Sequence, residues 1–368
     1  MKILIINSVC GVGSTGKICT EIAQRYELDG HEVKIAYGRK AVPESFAKYA
    51  VKIGNNIDVY FSALHTRLTD RHGFANRIAT RRFLKFADEF NPDVIWLHNL
   101  HGYYINLEML FAWIKKRKNI EVKWTLHDCW AFTGHCSHFT FVNCNKWKNG
   151  CNGCPQNRIY PSSICDRSEL NYRTKRELFD GVPNLTLITP SKWLSSLVSQ
   201  SFLKDYRVIV ENNNIDSNVF KPTYGVFKDN YNLQDKKIIL AVASQWNERK
   251  GIYDILKLSD MIDEDYRIVI VGISSSQQKK LPANVVGILR TENQTQLSEI
   301  YTAADVFVNP TYEDNYPTVN LEAQSCGTPV ISYDTGGCAE TLYTPFSQTV
   351  PCGNIEMLWS RVRELIER

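Results

Sequence analysis

The chain has 368 residues, of which 43% are hydrophobic and 22% are charged, and its formal net charge is +4 at pH 7. This length predicts two domains, and the apolar content is sufficient for a packed core in each. So weak a positive charge does not indicate a nucleic-acid-binding protein. No apolar run reaches the roughly 18–20 residues that span a bilayer. The apolar N-terminus predicts a first strand, since glycines and a helix follow it, so we expect a cytoplasmic protein.

The first half of the sequence predicts a parallel α/β sheet. An apolar strand over residues 2–8, a glycine-rich turn, a helix and a strand over 32–37 make a βαβ unit. Further apolar segments predict buried strands at 94–98, 122–127 and 185–189.

The second half repeats this organisation with its own set of strands. Short apolar segments alternate with helical ones and predict strands at 237–244, 266–273, 285–289, 306–310 and 329–333. We therefore predict two Rossmann-like α/β domains, over 1–205 and 206–368. Ligands of such sheets bind beyond the carboxyl ends of the strands, so we expect the two domains to face each other across a cleft.

The turn after the first strand nearly matches a phosphate-binding P-loop. Residues 11–17 supply the glycines and the lysine, but Ile18 replaces the hydroxyl residue that would bind Mg²⁺. An ATPase or GTPase is therefore disfavoured. Gly13 and Gly16 still precede a helix N-terminus, where backbone N–H groups can contact an anion or a sugar. The alternative is a tight turn without a ligand.

Three polar patterns follow strands of the second half. Gln245, Arg249 and Lys250 come after the first strand, and an acidic loop that contains Asp314 comes after the fourth. That loop leads into a short helix carrying Glu322, which we expect to begin at Pro317 and to end at Gly327. A third turn, over residues 334–337, follows the fifth strand.

These patterns, in this order, resemble those of the retaining nucleotide-sugar glycosyltransferases of family four, which have the GT-B fold. The chain is most similar to the colanic-acid-type polysaccharide transferases. Asp314 and Glu322 correspond to the E-x₇-E signature of the family, and Gln245 and Lys250 to its R-x₄-K-G signature. Three residues differ from the family: Gln245 replaces an arginine, Asp314 a glutamate and Asn214 a glycine. Residues 190–193 and 213–220 match two further family segments.

The resemblance implies a role for each site residue. Lys250 and Arg249 would stabilise the negative charge of the leaving nucleoside diphosphate, Glu322 would accept hydrogen bonds from the ribose, and Asp314 from the donor sugar. His127 would also contact the donor sugar. The remaining donor-binding residues would be Gln245, Gly13, Gly16, Asn315, Tyr316, Pro317 and Thr318, and the acceptor residues His98, His101 and Asp128.

The implied activity is transfer of a sugar from a UDP- or GDP-sugar to a glycan or lipid-linked acceptor in surface polysaccharide biosynthesis, such as that of capsule or lipopolysaccharide. Retention without an obvious enzymic nucleophile suggests front-face attack, and no D-x-D metal clamp is evident, so we expect no catalytic metal. The alternatives are a GT-B nucleotide-sugar epimerase, a phosphorylase and a non-catalytic protein that binds sugar nucleotides.

Residues 67–85 interleave basic and apolar side chains and could form an amphipathic helix on anionic lipid at the inner face of the membrane. The alternative is an ordinary helix with a solvated basic face. The basic residues are Arg67, Arg71, Arg77, Arg81, Arg82 and Lys85.

Four of the eleven cysteines cluster in a polar segment: Cys136, Cys144, Cys151 and Cys154. The C-x₂-C spacing of the last two is typical of zinc ligands, and four thiolates would make a closed structural zinc site. His135 or His138 could replace one thiolate. Two disulfides or four free thiols are the alternatives, and a reducing compartment disfavours the disulfides.

Overall fold

The computed structural model describes residues 1–367, which divide into two compact units. Unit 1 comprises Met1–Glu211, and unit 2 begins at Asn212. The division falls after residue 211 rather than 205, because a further strand over Arg207–Val210 pairs with the edge of the first sheet. Within this described part of the chain, no helix has both the length and the apolar character needed to cross a bilayer.

Unit 1 is built on a seven-stranded parallel sheet in the order β3-β2-β1-β4-β5-β6-β7. Its strands are β1 Lys2–Asn7, β2 Glu32–Tyr37, β3 Ala50–Lys52, β4 Val94–Leu97, β5 Glu121–Thr125, β6 Leu185–Thr189 and β7 Arg207–Val210. Its helices are α1 Gly13–Leu28, α2 Asn56–Thr69, α3 Arg77–Phe90, α4 Leu107–Lys115, α5 Ser168–Phe179 and α6 Lys192–Val198.

Unit 2 is built on a six-stranded parallel sheet in the order β10-β9-β8-β11-β12-β13. Its strands are β8 Lys237–Val242, β9 Tyr266–Val271, β10 Val285–Ile288, β11 Val306–Asn309, β12 Val330–Asp334 and β13 Gln348–Pro351. Its helices are α7 Phe227–Asn230, α8 Ile252–Ser259, α9 Ser275–Gln278, α10 Gln294–Ala303, α11 Thr318–Ser325 and α12 Ile355–Ile366.

Both sheets change direction of winding beside their first strand. The strand order reverses between β1 and β4 in unit 1, and between β8 and β11 in unit 2. At such a point the loops from neighbouring strands diverge and leave a crevice at the carboxyl edge, which is where α/β proteins bind ligands. The loops after β4, β8 and β11 carry most of the residues that we predict to be functional.

The cysteine-rich segment between β5 and α5 contributes aromatic residues to the hydrophobic core of unit 1. The buried rings of Phe132 and Phe139 lie 5.4 and 4.8 Å from that of Trp147. The polar composition of this segment suggests a loop without a core, and the structure corrects that expectation. The packing could not be predicted, because three isolated aromatic residues show no periodicity in the sequence.

A buried lysine ties this segment to α5. Lys175 Nζ donates hydrogen bonds to the carbonyl oxygens of Trp130 (2.7 Å) and Thr133 (3.0 Å) and lies 3.5 Å from the centroid of the Trp130 ring. Burial lowers the pKa of Lys175 to about 7.

Candidate active site

In unit 2 the loops after β8 and β11 are joined by hydrogen bonds to backbone carbonyl oxygens. The Tyr312 amide donates to the Arg249 carbonyl (2.8 Å), and the Arg249 guanidinium donates to the Glu313 carbonyl (2.8 Å). Gly251 makes this approach possible: its φ is +76°, and a Cβ there would lie 2.1 Å from the Pro310 carbonyl oxygen.

The turn after β12 completes the same cluster. The Gly337 amide donates to the Asp314 carbonyl (3.1 Å), and a Cβ on Gly336 would lie only 1.8 Å from that oxygen. The three patterns that the sequence separates by up to 90 residues therefore meet at one edge of the sheet.

The charged groups of this cluster face one another. Lys250 Nζ forms an ion pair with the Asp314 carboxylate, and both side chains are about a fifth exposed, at 23% and 21%. Gln245 lies exposed in the loop after β8, while the Arg249 side chain is engaged with the acidic loop. Because Lys250 and Asp314 lie together, one bound group could contact both.

Glu322 lies on α11 and accepts a hydrogen bond from the Tyr301 hydroxyl (3.0 Å). Burial raises the pKa of Tyr301, so this hydroxyl keeps its proton and serves as a donor. Asn320, also on α11, accepts from the Asn309 side chain (2.8 Å) and donates to Thr341 (2.9 Å), which fixes the helix against β11.

The N-terminus of α11 follows the acidic loop directly. Pro317 is the N-cap rather than the first helical residue, and Gly327 follows the helix with a φ of +90°, as the sequence predicts. Asn315 and Pro317 are buried in this turn, whereas Tyr316 and Thr318 are partly exposed.

A buried carboxylate that the sequence analysis missed supports the acidic loop. Asp254 on α8 accepts hydrogen bonds from the hydroxyls of Tyr312 (2.7 Å) and Tyr333 (2.9 Å). In the sequence Asp254 resembles any acidic residue of an amphipathic helix, so this contact could not be predicted.

In unit 1 the four polar residues predicted at the ends of β4 and β5 line one recess of about 200 Å³: His98, His101, His127 and Asp128. His98 Nδ1 lies 2.9 Å from His127 Nε2, and the two rings stack with centroids 5.2 Å apart. Burial lowers the pKa of both imidazoles, that of His127 to about 4. Both rings are therefore neutral at pH 7.

The other two residues of the recess, Asp128 and His101, form a series of hydrogen bonds that ends at a tyrosine hydroxyl. Asp128 Oδ2 lies 2.9 Å from His101 Nε2, and His101 Nδ1 lies 3.0 Å from the Tyr160 hydroxyl. Burial would raise the pKa of Asp128, but the Coulombic effects of His101 and His138 and the hydrogen bonds from His101 and the Trp130 amide together outweigh burial and hold that pKa well below its usual range.

Tyr160 comes from the cysteine-rich segment and was not predicted. Around it the rings of His72, His101 and Tyr103 lie with centroids 5.8–6.0 Å away. The surrounding sequence has no periodicity that would have indicated its position.

The turn before α1 contains the remaining two predicted residues. Gly13 begins α1 with a φ of +67°, and Gly16 is buried one turn later. Within residues 1–367, no side chain caps the first turn of α1, whose N-cap is Val12, so backbone N–H groups at this end lack a side-chain acceptor.

Comparison with known proteins agrees with this geometry. Residues 226–368 match the family model "Glycosyl transferases group 1". WcaC of Escherichia coli, named as a colanic acid biosynthesis glycosyl transferase, is 26% identical over 369 residues, covering 95% of this chain and 87% of that protein.

Solved structures match over the full chain. Sucrose-phosphate synthase of Thermosynechococcus elongatus has a TM-score of 0.71 at 14% identity, and the match covers 100% of this chain and 90% of that one. Anabaena HepE in complex with UDP-glucose has a TM-score of 0.66 at 15% identity, with the same coverage. Residues 226–368 therefore form a group 1 glycosyltransferase domain, and the chain has the GT-B fold.

The basic stretch of this glycosyltransferase does not form a single helix. Arg67 lies on α2, whereas Arg77, Arg81, Arg82 and Lys85 lie on α3 and Arg71 between them. α3 buries Phe83 and Leu84 and exposes its basic residues, so contact of this stretch with anionic lipid stays a prediction.

The four clustered cysteines of the glycosyltransferase line one recess of about 270 Å³ together with His135. A hydrogen bond from Cys136 lowers the pKa of Cys154 to about 7. Among residues 1–367, no disulfide forms, and no three His, Cys, Asp or Glu side chains stand in an arrangement that could hold a metal ion. The thiols would have to draw together to bind zinc, so the zinc site stays a prediction.

We predict about one zinc per chain in protein purified without added metal, because four thiolates complete a tetrahedral site. The Cys151→Ser variant should lose this zinc, whereas the matched control Cys352→Ser, an exposed thiol of unit 2, should keep it. Elemental analysis provides the measurement. Metal-free protein whose clustered thiols react readily under native conditions would contradict the prediction.

Proposed function

We propose that this glycosyltransferase moves a sugar, with retention of configuration, from a nucleoside-diphosphate donor to a glycan or lipid-linked acceptor in surface polysaccharide biosynthesis. The observation that carries the proposal is the ion pair between Lys250 and Asp314 at one edge of the second sheet, followed in the chain by the helix that carries Glu322. A lysine, an acceptor for sugar hydroxyls and an acceptor for a ribose diol are the groups that such a donor requires.

In the proposed reaction Lys250 stabilises the charge that gathers on the diphosphate as the glycosidic bond breaks. The N-terminal turn of α11 follows Asp314 closely in the chain and adds backbone N–H groups and the positive end of the helix dipole. Glu322 accepts from the ribose hydroxyls, and its contact with Tyr301 fixes the direction of its carboxylate. A diphosphate oxygen of the donor takes the proton of the attacking hydroxyl, and no catalytic metal takes part.

Relatives guide the choice of donor and acceptor. Anabaena HepE structures contain UDP and UDP-glucose, so UDP-glucose is the first donor to test, with GDP-sugars next. A Campylobacter jejuni relative, 26% identical over 38% of this chain and 40% of its own length, is named as an N-acetylgalactosaminyltransferase acting on a diphospho-undecaprenol. We propose that this chain likewise acts on a lipid-linked acceptor at the cytoplasmic face of the membrane, without spanning it.

We assign the recess that contains His101 and Asp128 to the acceptor. Its polar chain can orient a hydroxyl, and the exposed ring of Tyr160 beside His101 offers a face for the C–H groups of a sugar. The neutral His98 and His127 pair lies in the same recess, and we assign the donor-sugar contact to His127.

The donor site is tested by nucleotide binding to the Glu322→Gln variant. Because glutamine preserves the acceptor for Tyr301 but removes the charge, UDP affinity by calorimetry should fall by about tenfold or more, as a hydrogen bond to a charged group contributes about 1.5–3 kcal/mol. The control Glu356→Gln changes an exposed acid of α12. Equal affinity of all three proteins for UDP, GDP and ADP would refute the ribose assignment.

The class of reaction is tested by incubating the enzyme with UDP-glucose, GDP-mannose and ADP-glucose. Release of nucleoside diphosphate that is stimulated by a lipid-linked or glycan acceptor is the expected result. An isomerised donor would indicate an epimerase, and binding without turnover a non-catalytic protein; either would contradict transfer.

The acceptor site is tested by the Tyr160→Phe variant. Losing the hydroxyl removes the contact to His101 Nδ1, so sugar transfer should fall by about tenfold while UDP affinity and slow hydrolysis of the donor by water stay unchanged. Tyr224→Phe, at a 90% exposed position, provides the control. Transfer at the rate of the wild type would remove Tyr160 from the acceptor site.

A further inference from the structure

The α2 helix turns its large apolar residues outward. Its buried side chains are Ser62 and Thr66, and the Thr66 hydroxyl donates to the Ser62 carbonyl (2.8 Å). Five apolar side chains at helical spacing form the opposite side, which we call the α2 apolar face: Ile57 (65% exposed), Tyr60 (68%), Phe61 (62%), Leu64 (42%) and Leu68 (49%).

Such a face requires an explanation, because a helix of a globular protein normally buries its apolar stripe. Single exposed apolar residues are ordinary, but a contiguous group marks a surface that is covered by something else. The capping box formed by Asn55 and Asp58 fixes the start of α2, so the orientation of the face does not result from a poorly formed helix.

The apolar surface continues into the cysteine-rich segment. The Ile164 amide and the Ser163 hydroxyl both donate to the Arg67 carbonyl, at 2.9 and 3.1 Å. Ile164 is 49% exposed and Ile159 is 57% exposed, so both extend the apolar surface beyond the end of α2.

Basic residues lie near the other end of α2. A Cβ on Gly54, which precedes α2, would lie 3.0 Å from Ala79 Cβ in the first turn of α3. The exposed residues Arg81, Arg82 and Lys85 come after this first turn of α3. Within residues 1–367, no ion pair involves any of the three.

We propose that the α2 apolar face rests on an anionic lipid surface. Insertion of apolar and aromatic side chains beside cations that attract acidic headgroups is the combination by which interfacial helices bind membranes. Self-association through the same face would bring two sets of like-charged α3 residues toward each other, which favours lipid over a second copy of the chain.

This surface also relates membrane contact to the acceptor recess. Residues 160–164 join Arg67, at the end of α2, to His101, which the Tyr160 hydroxyl contacts. A lipid-linked acceptor could thus leave its chain in the bilayer and place its sugar near His101. This last step rests on the proposed function, whereas lipid binding itself does not.

The test is co-sedimentation of the full chain, without sugar donor, with vesicles of phosphatidylcholine alone and with vesicles of phosphatidylcholine and phosphatidylglycerol in equal parts. We expect binding to the anionic vesicles that weakens with added salt. The double variant Tyr60→Ser/Phe61→Ser should bind about tenfold less tightly or worse. The matched control Tyr224→Ser/Phe346→Ser changes exposed residues of unit 2 and should bind as the wild type does.

A second pair of variants tests the contribution of charge. Arg81→Gln/Arg82→Gln should weaken binding, whereas Lys279→Gln/Lys280→Gln, which removes the same charge from unit 2, should not. UDP affinity, measured on every variant, verifies folding and separates this inference from the donor site. Failure of the wild type to bind anionic vesicles would overturn the proposal, as would a dimer in solution that the Tyr60→Ser/Phe61→Ser variant dissociates.

Discussion

The charge balance of the donor site in unit 2 depends on the ion pair between Lys250 and Asp314. This ion pair joins the loop after β8 to the loop after β11, and close backbone approaches at Gly251 and Gly336 leave no room for any side chain there. The pair balances a cation and an anion, so the site carries little net charge before a donor binds. Under the proposed donor assignment, a diphosphate would draw Lys250 away from Asp314, and the freed carboxylate would then accept hydrogen bonds from sugar hydroxyls.

Most of this site could be predicted from the sequence. Strands β8 to β12 are short apolar segments, a pattern typical of a buried parallel sheet. In such a sheet the carboxyl ends of all strands lie at one edge. Lys250 and Asp314 lie in the loops that follow two of these strands, so their proximity follows from topology. The same reasoning predicts that His98, His101 and Asp128 lie together in unit 1, and one recess there contains all three.

The features that the sequence did not predict depend on contacts between distant segments. Strands β3, β7 and β13 lie toward the edges of their sheets, where a strand needs no continuous apolar run. Tyr160 reaches His101 because an aromatic cluster and Lys175 position an irregular segment. The α2 apolar face has the periodicity of a core helix, and only the structure shows that Ser62 and Thr66 face inward. Pattern alone cannot distinguish a stripe that packs on the protein from one that packs on lipid.

Calorimetric titration of UDP into the Asp314→Asn and Lys250→Met variants tests most directly whether Lys250 serves the diphosphate. If Asp314 holds Lys250 until the donor binds, Asp314→Asn should bind UDP several-fold more tightly than the wild type, because the lysine no longer has to leave its partner. Lys250→Met should bind UDP more weakly. Equal weakening by the two substitutions would contradict the account, because it would show that the pair only maintains the shape of the loops.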